Sequence, residues 1–223
     1  MTTRLVAVNA GLGDPSSTRL LVDRLVESAR EILDDRSQTV DVEVVDLRDL
    51  AVGIAQSLVS GFADAEVRRA LEKVYAADGL IVATPVFNAS YSGLFKSFVD
   101  LVEVDRMAGK PVLIAATGGS PRHSMVLDHA IRPLFGYLRA IVVPTGVYAA
   151  AEDWAGTSGD TAALSDRVHR AAAELVALLP LVNGDSDRSV TRSVTARFGS
   201  DDYATATEAA GIATFAKLLG ESA

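Results

Sequence analysis

The sequence predicts an α/β fold: an open five-stranded parallel sheet with helices on both faces, followed by a C-terminal tail with a short helix. Three observations predict it. Short apolar runs alternate five times with stretches of helical periodicity. Two of the runs, Gly79–Thr84 (GLIVAT) and Pro111–Thr117, are continuously apolar, as expected of parallel strands covered on both faces. Loops rich in Gly, Ser and Pro follow the first, third and fourth runs. Five such strands favour the order 2-1-3-4-5. Ligands then bind outside the carboxyl ends, where the strand order reverses, between the first and third strands.

Leu5–Asn9 is the first strand, and a helix follows over Ser17–Leu33 with Leu21, Val22, Leu25, Val26, Ala29, Ile32 and Leu33 on one face. Val40–Asp46 alternates in part, which suits a strand near the sheet edge. Asp64–Ala76 is helical, Gly79–Thr84 is the third strand, and Tyr91–Val104 reads as the next helix. After the strand Pro111–Thr117, Ser124–Arg139 is helical, with Pro133 predicting a kink or a break. Ile141–Val147 is the fifth strand and Thr161–Leu179 the fifth helix, ended by Pro180. Residues 1–180 therefore read as one domain. Residues 181–223 read as a polar linker and a helical tail, with Ile212, Phe215, Leu218 and Leu219 among the tail's apolar positions.

Composition narrows the function. With 223 residues, 49% hydrophobic and 22% charged, the chain can bury a full core. The net charge of −8 and the lack of a Lys/Arg run argue against nucleic acid as partner. There is no Cys, so thiolate metal sites, disulfides and dithiol redox chemistry are excluded, and any electron transfer needs a bound cofactor. The three His residues show no metal-ligand spacing. The N-terminal apolar run, about six residues, is too short for a signal core or a membrane span, and a cytoplasmic location follows by default.

The first loop, NAGLGDPSSTRLL from Asn9 to Leu21, joins a strand to a helix. Gly11 and Leu12 offer backbone N–H groups, and Ser16, Ser17 and Thr18 put hydroxyls at the helix N-terminus, an arrangement suited to a phosphate. Taken alone, it reads equally well as an ordinary cap by Ser16 or Ser17. Without Lys in the segment it is not a P-loop. Gly11 and Gly13 fit two positions of a dinucleotide fingerprint, but Ser16 fills the third, and the acid at Asp46 comes roughly 30 residues on rather than about 20. The second loop, ATPVFNASYSG from Ala83 to Gly93, brings Pro85, Val86, Phe87 and Asn88 to the strand end, an aromatic and an amide for a planar ring. The third, ATGGSPRH from Ala116 to His123, has Gly118 and Gly119 for close backbone approach, then Ser120 and His123. Each loop is weak by itself; their common edge is the argument.

These three segments, with TPVFNASYSGLFK over Thr84–Lys96, resemble the NAD(P)H-dependent FMN reductases of the flavodoxin-like superfamily, over roughly Arg4–Leu179. Within that family the chain is most similar to reductases that partner luciferase-like monooxygenases. The resemblance implies a flavoprotein oxidoreductase with FMN bound in a homodimer or homotetramer, and hydride transfer from NADH or NADPH to flavin N5. It assigns Ser16, Ser17 and Thr18 to the phosphate, Pro85 to Asn88 to the isoalloxazine, and Gly118, Gly119 and Ser120 to the ring's other side. His123 either bonds the flavin or nicotinamide or is an ordinary helix-start residue. Many relatives carry Ser and Arg early in the phosphate loop, where this chain has Gly11 and Gly13. Loosely held, exchangeable FMN is the resulting expectation. No side chain is needed as catalytic nucleophile or base.

The alternatives are an FMN-retaining quinone, azo or chromate reductase, and, in another class, a flavin-binding module without enzymatic activity. A flavodoxin would carry T-x-T-G-x-T, absent here, and the His123, Ser124, Asp128 grouping lacks the G-x-S-x-G elbow of a hydrolase. The apolar excess of Leu94, Phe95, Phe98, Val99, Leu101 and Val102 suits either an oligomer interface or a core helix.

Overall fold

The computed structural model describes residues 2–154 and 160–183. Its strands are β1 (Thr3–Asn9), β2 (Val40–Asp46), β3 (Gly79–Phe87), β4 (Ser90–Tyr91), β5 (Pro111–Gly118), β6 (Ile141–Val142) and β7 (Val147–Ala150). Its helices are α1 (Ser17–Asp35), α2 (Ala51–Ser60), α3 (Ala65–Ala76), α4 (Gly93–Val99), α5 (Arg132–Tyr137), α6 (Ala151–Trp154) and α7 (Asp160–Asn183). The sheet runs β2-β1-β3-β5-β6, with β4 paired to β3 and β7 paired to β5. This is the flavodoxin-like arrangement the sequence predicts, with one strand more complex than expected and one strand added.

The fifth strand is two pieces. Ile141–Val142 pairs with Pro111–Val112, and Val147–Ala150 pairs with Ala115–Gly118. Pro144 lies between them and has no N–H for a ladder bond. The interruption is held from both sides. Arg132 donates to the Val143 and Pro144 carbonyls at 2.9 Å each, and Glu174 accepts from Thr145 N and Oγ1 at 2.8 Å each. The added strand is β4, which turns back antiparallel on the end of β3. Its two-residue turn places Asn88 at φ 49° and Ala89 at φ 65°, the left-handed pair that a tight hairpin requires. Seven strands, one of them antiparallel, thus replace the five expected.

Both sheet faces are buried, which is why the central strands are apolar throughout. Leu21, Leu25 and Leu33 of α1 and Leu175 and Leu179 of α7 cover Leu5, Ile81 and Leu113. Val67 of α3, Phe95 and Phe98 of α4 and Phe135 of α5 cover Val6, Leu80, Val82 and Ile114 on the other face. The apolar excess of the 91–104 segment is consumed here: Phe95, Phe98 and Val99 are buried, and Leu94, Leu101 and Val102 pack partly against the same core. That helix is shorter than expected, ending at Val99.

Three further helical features depart from the sequence reading. The helix α2 leaves no helical signature in the sequence, because its buried residues are Ile54 and Ser57 and its exposed face carries Val52 and Val59 instead of charge. The 124–139 segment widens into a π turn at Leu127–Ile131 before α5. Pro133 cannot donate the N–H that a regular helix needs there. Finally, α7 runs past Pro180 to Asn183; a proline removes one helical bond and need not end the helix. The expected linker and tail helix after 183 lie outside the described residues.

At the opposite edge from the loops, Lys110 Nζ donates to the Tyr75 carbonyl at 3.2 Å and to that of Ala77, closing the C-terminus of α3. Burial pushes this lysine down to about 8, against the opposing charge of Asp78. A folded value below the unfolded one, about 10.4, means that the unfolded chain holds the proton over the interval between them. Stability therefore rises as pH increases from about 8 to about 10. Urea unfolding at pH 7.5 and 9.5 should show a gain of about 1–2 kcal/mol in the native protein that Lys110→Met lacks. Equal slopes in the two proteins would refute this.

Candidate functional site

The sheet register brings the three loops to one edge. Asn9 at the end of β1 lies opposite Asp46 of β2 and Ala83 of β3, and Pro85 lies opposite Thr117 of β5. Each loop leaves from these carboxyl ends. The gap between β1 and β3 is where the chain order reverses, as the topology predicts.

The first loop is closed by a circuit of polar contacts. Asn9, buried, accepts from Gly11 N at 3.0 Å through Oδ1 and donates through Nδ2 to Asp46 Oδ1 at 2.6 Å. Arg19 Nη1 donates to Asp46 Oδ2 at 2.7 Å and Nε to Asp23 Oδ1 at 2.9 Å. The hydrogen bond to Asp23 and the charge of Asp46 hold the guanidinium above its ordinary value. Ser16 caps α1, its Oγ accepting from Arg19 N at 3.2 Å. A Cβ at Gly11 would sit 2.1 Å from that Ser16 Oγ, so only glycine lets the loop fold this tightly. Leu12 and Ser17 are exposed. Among the described residues the N–H groups of Leu12, Gly13, Ser17 and Thr18 have no hydrogen-bond partner. Thr18 is buried, and its hydroxyl pairs with that of Thr117 at 2.7 Å. It thus ties the first loop to the end of β5 and is turned away from solvent.

The second loop is held by Thr84, fully buried at the bend. Its Oγ1 donates to the Pro85 carbonyl at 3.0 Å and accepts from Ser92 N at 3.0 Å. Ser92 in turn caps α4 by accepting from Phe95 N at 3.2 Å. The hairpin therefore presents Pro85 and Val86 half-buried and Phe87 and Asn88 exposed at its tip. Phe87 is 48% exposed, a large apolar face for a residue so well anchored.

In the third loop, a Cβ on Gly118 would lie 2.2 Å from Tyr148 Oη, whereas nothing lies within 4 Å of one on Gly119. The Tyr148 hydroxyl donates to the Ser120 carbonyl at 2.7 Å, and burial followed by the Asp153 charge raises its value, keeping it a donor. Asp153 accepts from Ala150 N at 2.7 Å and from Arg167 at 3.2 Å, which also bonds the Tyr148 carbonyl at 3.3 Å. Ser120 Oγ caps the next turn by accepting from Arg122 N at 3.3 Å. The side chain of His123 is exposed beside this loop with no hydrogen bond among the described residues.

Sequence reasoning missed Thr117 and Tyr148, and named Asn9 and Asp46 without their connection to Arg19. An aromatic at the end of the fifth strand was the only available signal for Tyr148. The site carries free N–H donors and hydroxyls beside the first loop, an exposed aromatic and amide on the second, and an uncovered glycine backbone on the third. Those features fit an anionic group joined to a planar ring, which is the shape of a flavin mononucleotide. Among the described residues no group of three or more His, Asp or Glu is placed to hold a metal ion.

Comparison with known proteins points the same way. Residues 3–155 match the family described as NADPH-dependent FMN reductase. An FMN reductase (NADPH) of Pseudomonas aeruginosa is 39% identical over 184 residues, which is 82% of this chain and 95% of that protein. The NADH-dependent FMN reductase SfnF of Pseudomonas putida is 41% identical over 149 residues, 67% of this chain and 78% of that protein. The X-ray structure of an oxidoreductase from Corynebacterium diphtheriae is similar with a TM-score of 0.76 at 43% identity, covering 80% of this chain and 97% of that one.

Proposed function

The chain belongs to the NADPH-dependent FMN reductase family, and from that premise we propose that it reduces FMN with NADH or NADPH and hands the reduced flavin to a two-component monooxygenase. The observation that carries the site assignment is the convergence of three loops at the β1/β3 edge, one with free N–H groups at a helix start. The bound flavin supplies the acceptor for a nicotinamide hydride. The protein's part is to bind and orient.

In this reading Leu12 by its N–H, with Ser16, Ser17 and Thr18, forms the phosphate end within a domain of residues 1–180, and Gly11, whose N–H is held by Asn9 Oδ1, shapes the turn rather than donating to the phosphate. Ser16 and Ser17 act through hydroxyl and N–H groups. Thr18 acts through its N–H, since its hydroxyl is engaged by Thr117. Pro85, Val86, Phe87 and Asn88 line one side of the ring, and Gly118, Gly119 and Ser120 the other. His123 stands where the ring edge or the nicotinamide would pass. A homodimer or homotetramer is supported by α2, where Val52 and Val59 are 71% and 91% exposed and the following Phe62 82%. Among the described residues no helix is long and apolar enough to cross a membrane; a cytoplasmic location suits a nicotinamide-dependent reaction.

The test is nicotinamide oxidation by purified protein, with NADH and NADPH in parallel and FMN, FAD or riboflavin as acceptor. Oxidation should appear only with flavin added, and FMN should be preferred. Absence of flavin-dependent oxidation with either nicotinamide would defeat the proposal. Tightly retained flavin with ping-pong kinetics would replace release to a monooxygenase by the FMN-retaining reductase.

A further inference from the structure

We propose that Arg19 and Asp46 form an exchangeable ion pair that sets how tightly the first loop holds a flavin phosphate, the incoming phosphate displacing Asp46 from the guanidinium. The proposal rests on the reading of Gly11–Thr18 as the phosphate site and names the residue that tunes it.

Arg19 occupies the first turn of α1, where a cation opposes the helix dipole, and that turn contains no acid of its own. A cation there is compensated from outside, by Asp46 at the end of β2 and by Asp23 one turn on. Two carboxylates facing one guanidinium leave the cluster net negative. A phosphate dianion reaching the free N–H groups of Ser17 and Thr18 is repelled by that cluster until the guanidinium turns. The movement is local, because the Arg19 and Asp46 side chains are 40% and 31% exposed. Once released, Asp46 keeps its bond from Asn9 Nδ2, so the Gly11 turn stays closed. Arg19 then presents parallel N–H groups to phosphate oxygens, a geometry that guanidinium and phosphate share. In this arrangement Asp46 competes with the ligand for the Arg19 guanidinium, which suits a flavin that must leave.

The experiment compares FMN with riboflavin, which lacks the phosphate, by fluorescence titration of the full chain. The ratio of their dissociation constants reads the phosphate contact alone. The native protein should favour FMN. Asp46→Asn, nearly isosteric and still able to accept from Asn9, should raise that preference about tenfold, and Arg19→Gln should remove most of it. In the double variant, Asp46→Asn should change the ratio less than about twofold. An unchanged ratio in Asp46→Asn overturns the proposal. So does an equal rise with and without Arg19, which would be simple removal of negative charge. If Asp46→Asn fails to fold, a full preference for FMN in Arg19→Gln is itself decisive against the exchange. A native protein that binds FMN and riboflavin equally overturns the phosphate-site reading beneath it, a result distinct from the others.

Discussion

Replacing Phe95 with alanine is expected to cost about 3–5 kcal/mol of stability, the range for emptying a fully enclosed aromatic site. Phe95 is 0% exposed. Its ring centroid lies 6.0 Å from that of Tyr91 and 6.3 Å from that of Phe135, both tilted, so the loss includes aromatic contacts beyond buried area. The position also matters for the site. Tyr91 pairs with Val86 across the hairpin, and the Phe95 N–H is the group that Ser92 caps. The cavity therefore opens directly beneath the loop carrying Phe87 and Asn88. Urea unfolding should show the midpoint fall with an unchanged m-value, accompanied by weaker flavin binding. A loss below about 1 kcal/mol would mean that the site collapses around the gap and that α4 is not the hairpin's support.

The second large effect is expected on function. Gly118→Ala places a methyl 2.2 Å from Tyr148 Oη and 3.2 Å from its Cζ. The ring cannot flex away cheaply, because its hydroxyl is committed to the Ser120 carbonyl and its backbone lies in β7. Displacing Tyr148 releases Ser120 and moves the whole third loop. Flavin-dependent turnover should drop roughly tenfold to a hundredfold, as misplacement by about an ångström typically does, with a stability cost of about 1–3 kcal/mol from overpacking. Adding Tyr148→Phe removes the nearest clashing atom and should recover part of the turnover. Steady-state rates at saturating nicotinamide decide the matter: unchanged kcat/KM for FMN in Gly118→Ala would show that the third loop does not touch the ring.

Both predictions depend on side chains whose importance was unevenly legible. Phe95 was visible as an apolar residue of the 91–104 segment, but the sequence left open whether it faced a partner or the core. The tilted packing on Phe135, forty positions away in the chain, decides for the core. Gly118 was visible as a glycine where backbone might approach a ligand. Its actual constraint is Tyr148, on a different strand. The fifth strand reads as one run in the sequence because hydropathy does not register a missing N–H; Pro144, the bonds from Arg132 and those from Thr145 to Glu174 divide it.

The sequence by itself determined the alternation of strands and helices and the three loops that follow β1, β3 and β5, whereas the strand order it only favoured. The alternation and the loops are local or periodic properties: apolar runs covered on both faces, helical spacing, and turn residues at strand ends. It also put hydroxyls at the start of α1 with Ser16 or Ser17 as the cap, and the structure selects Ser16. Only the tertiary structure decided how those groups are spent. Thr18 turns to Thr117 across the sheet, and Arg19, beside the loop, is held by Asp46 from the neighbouring strand. Such contacts join residues 99 and 27 positions apart. They exist because parallel pairing aligns the ends of β1, β2, β3 and β5, an alignment that local pattern does not encode.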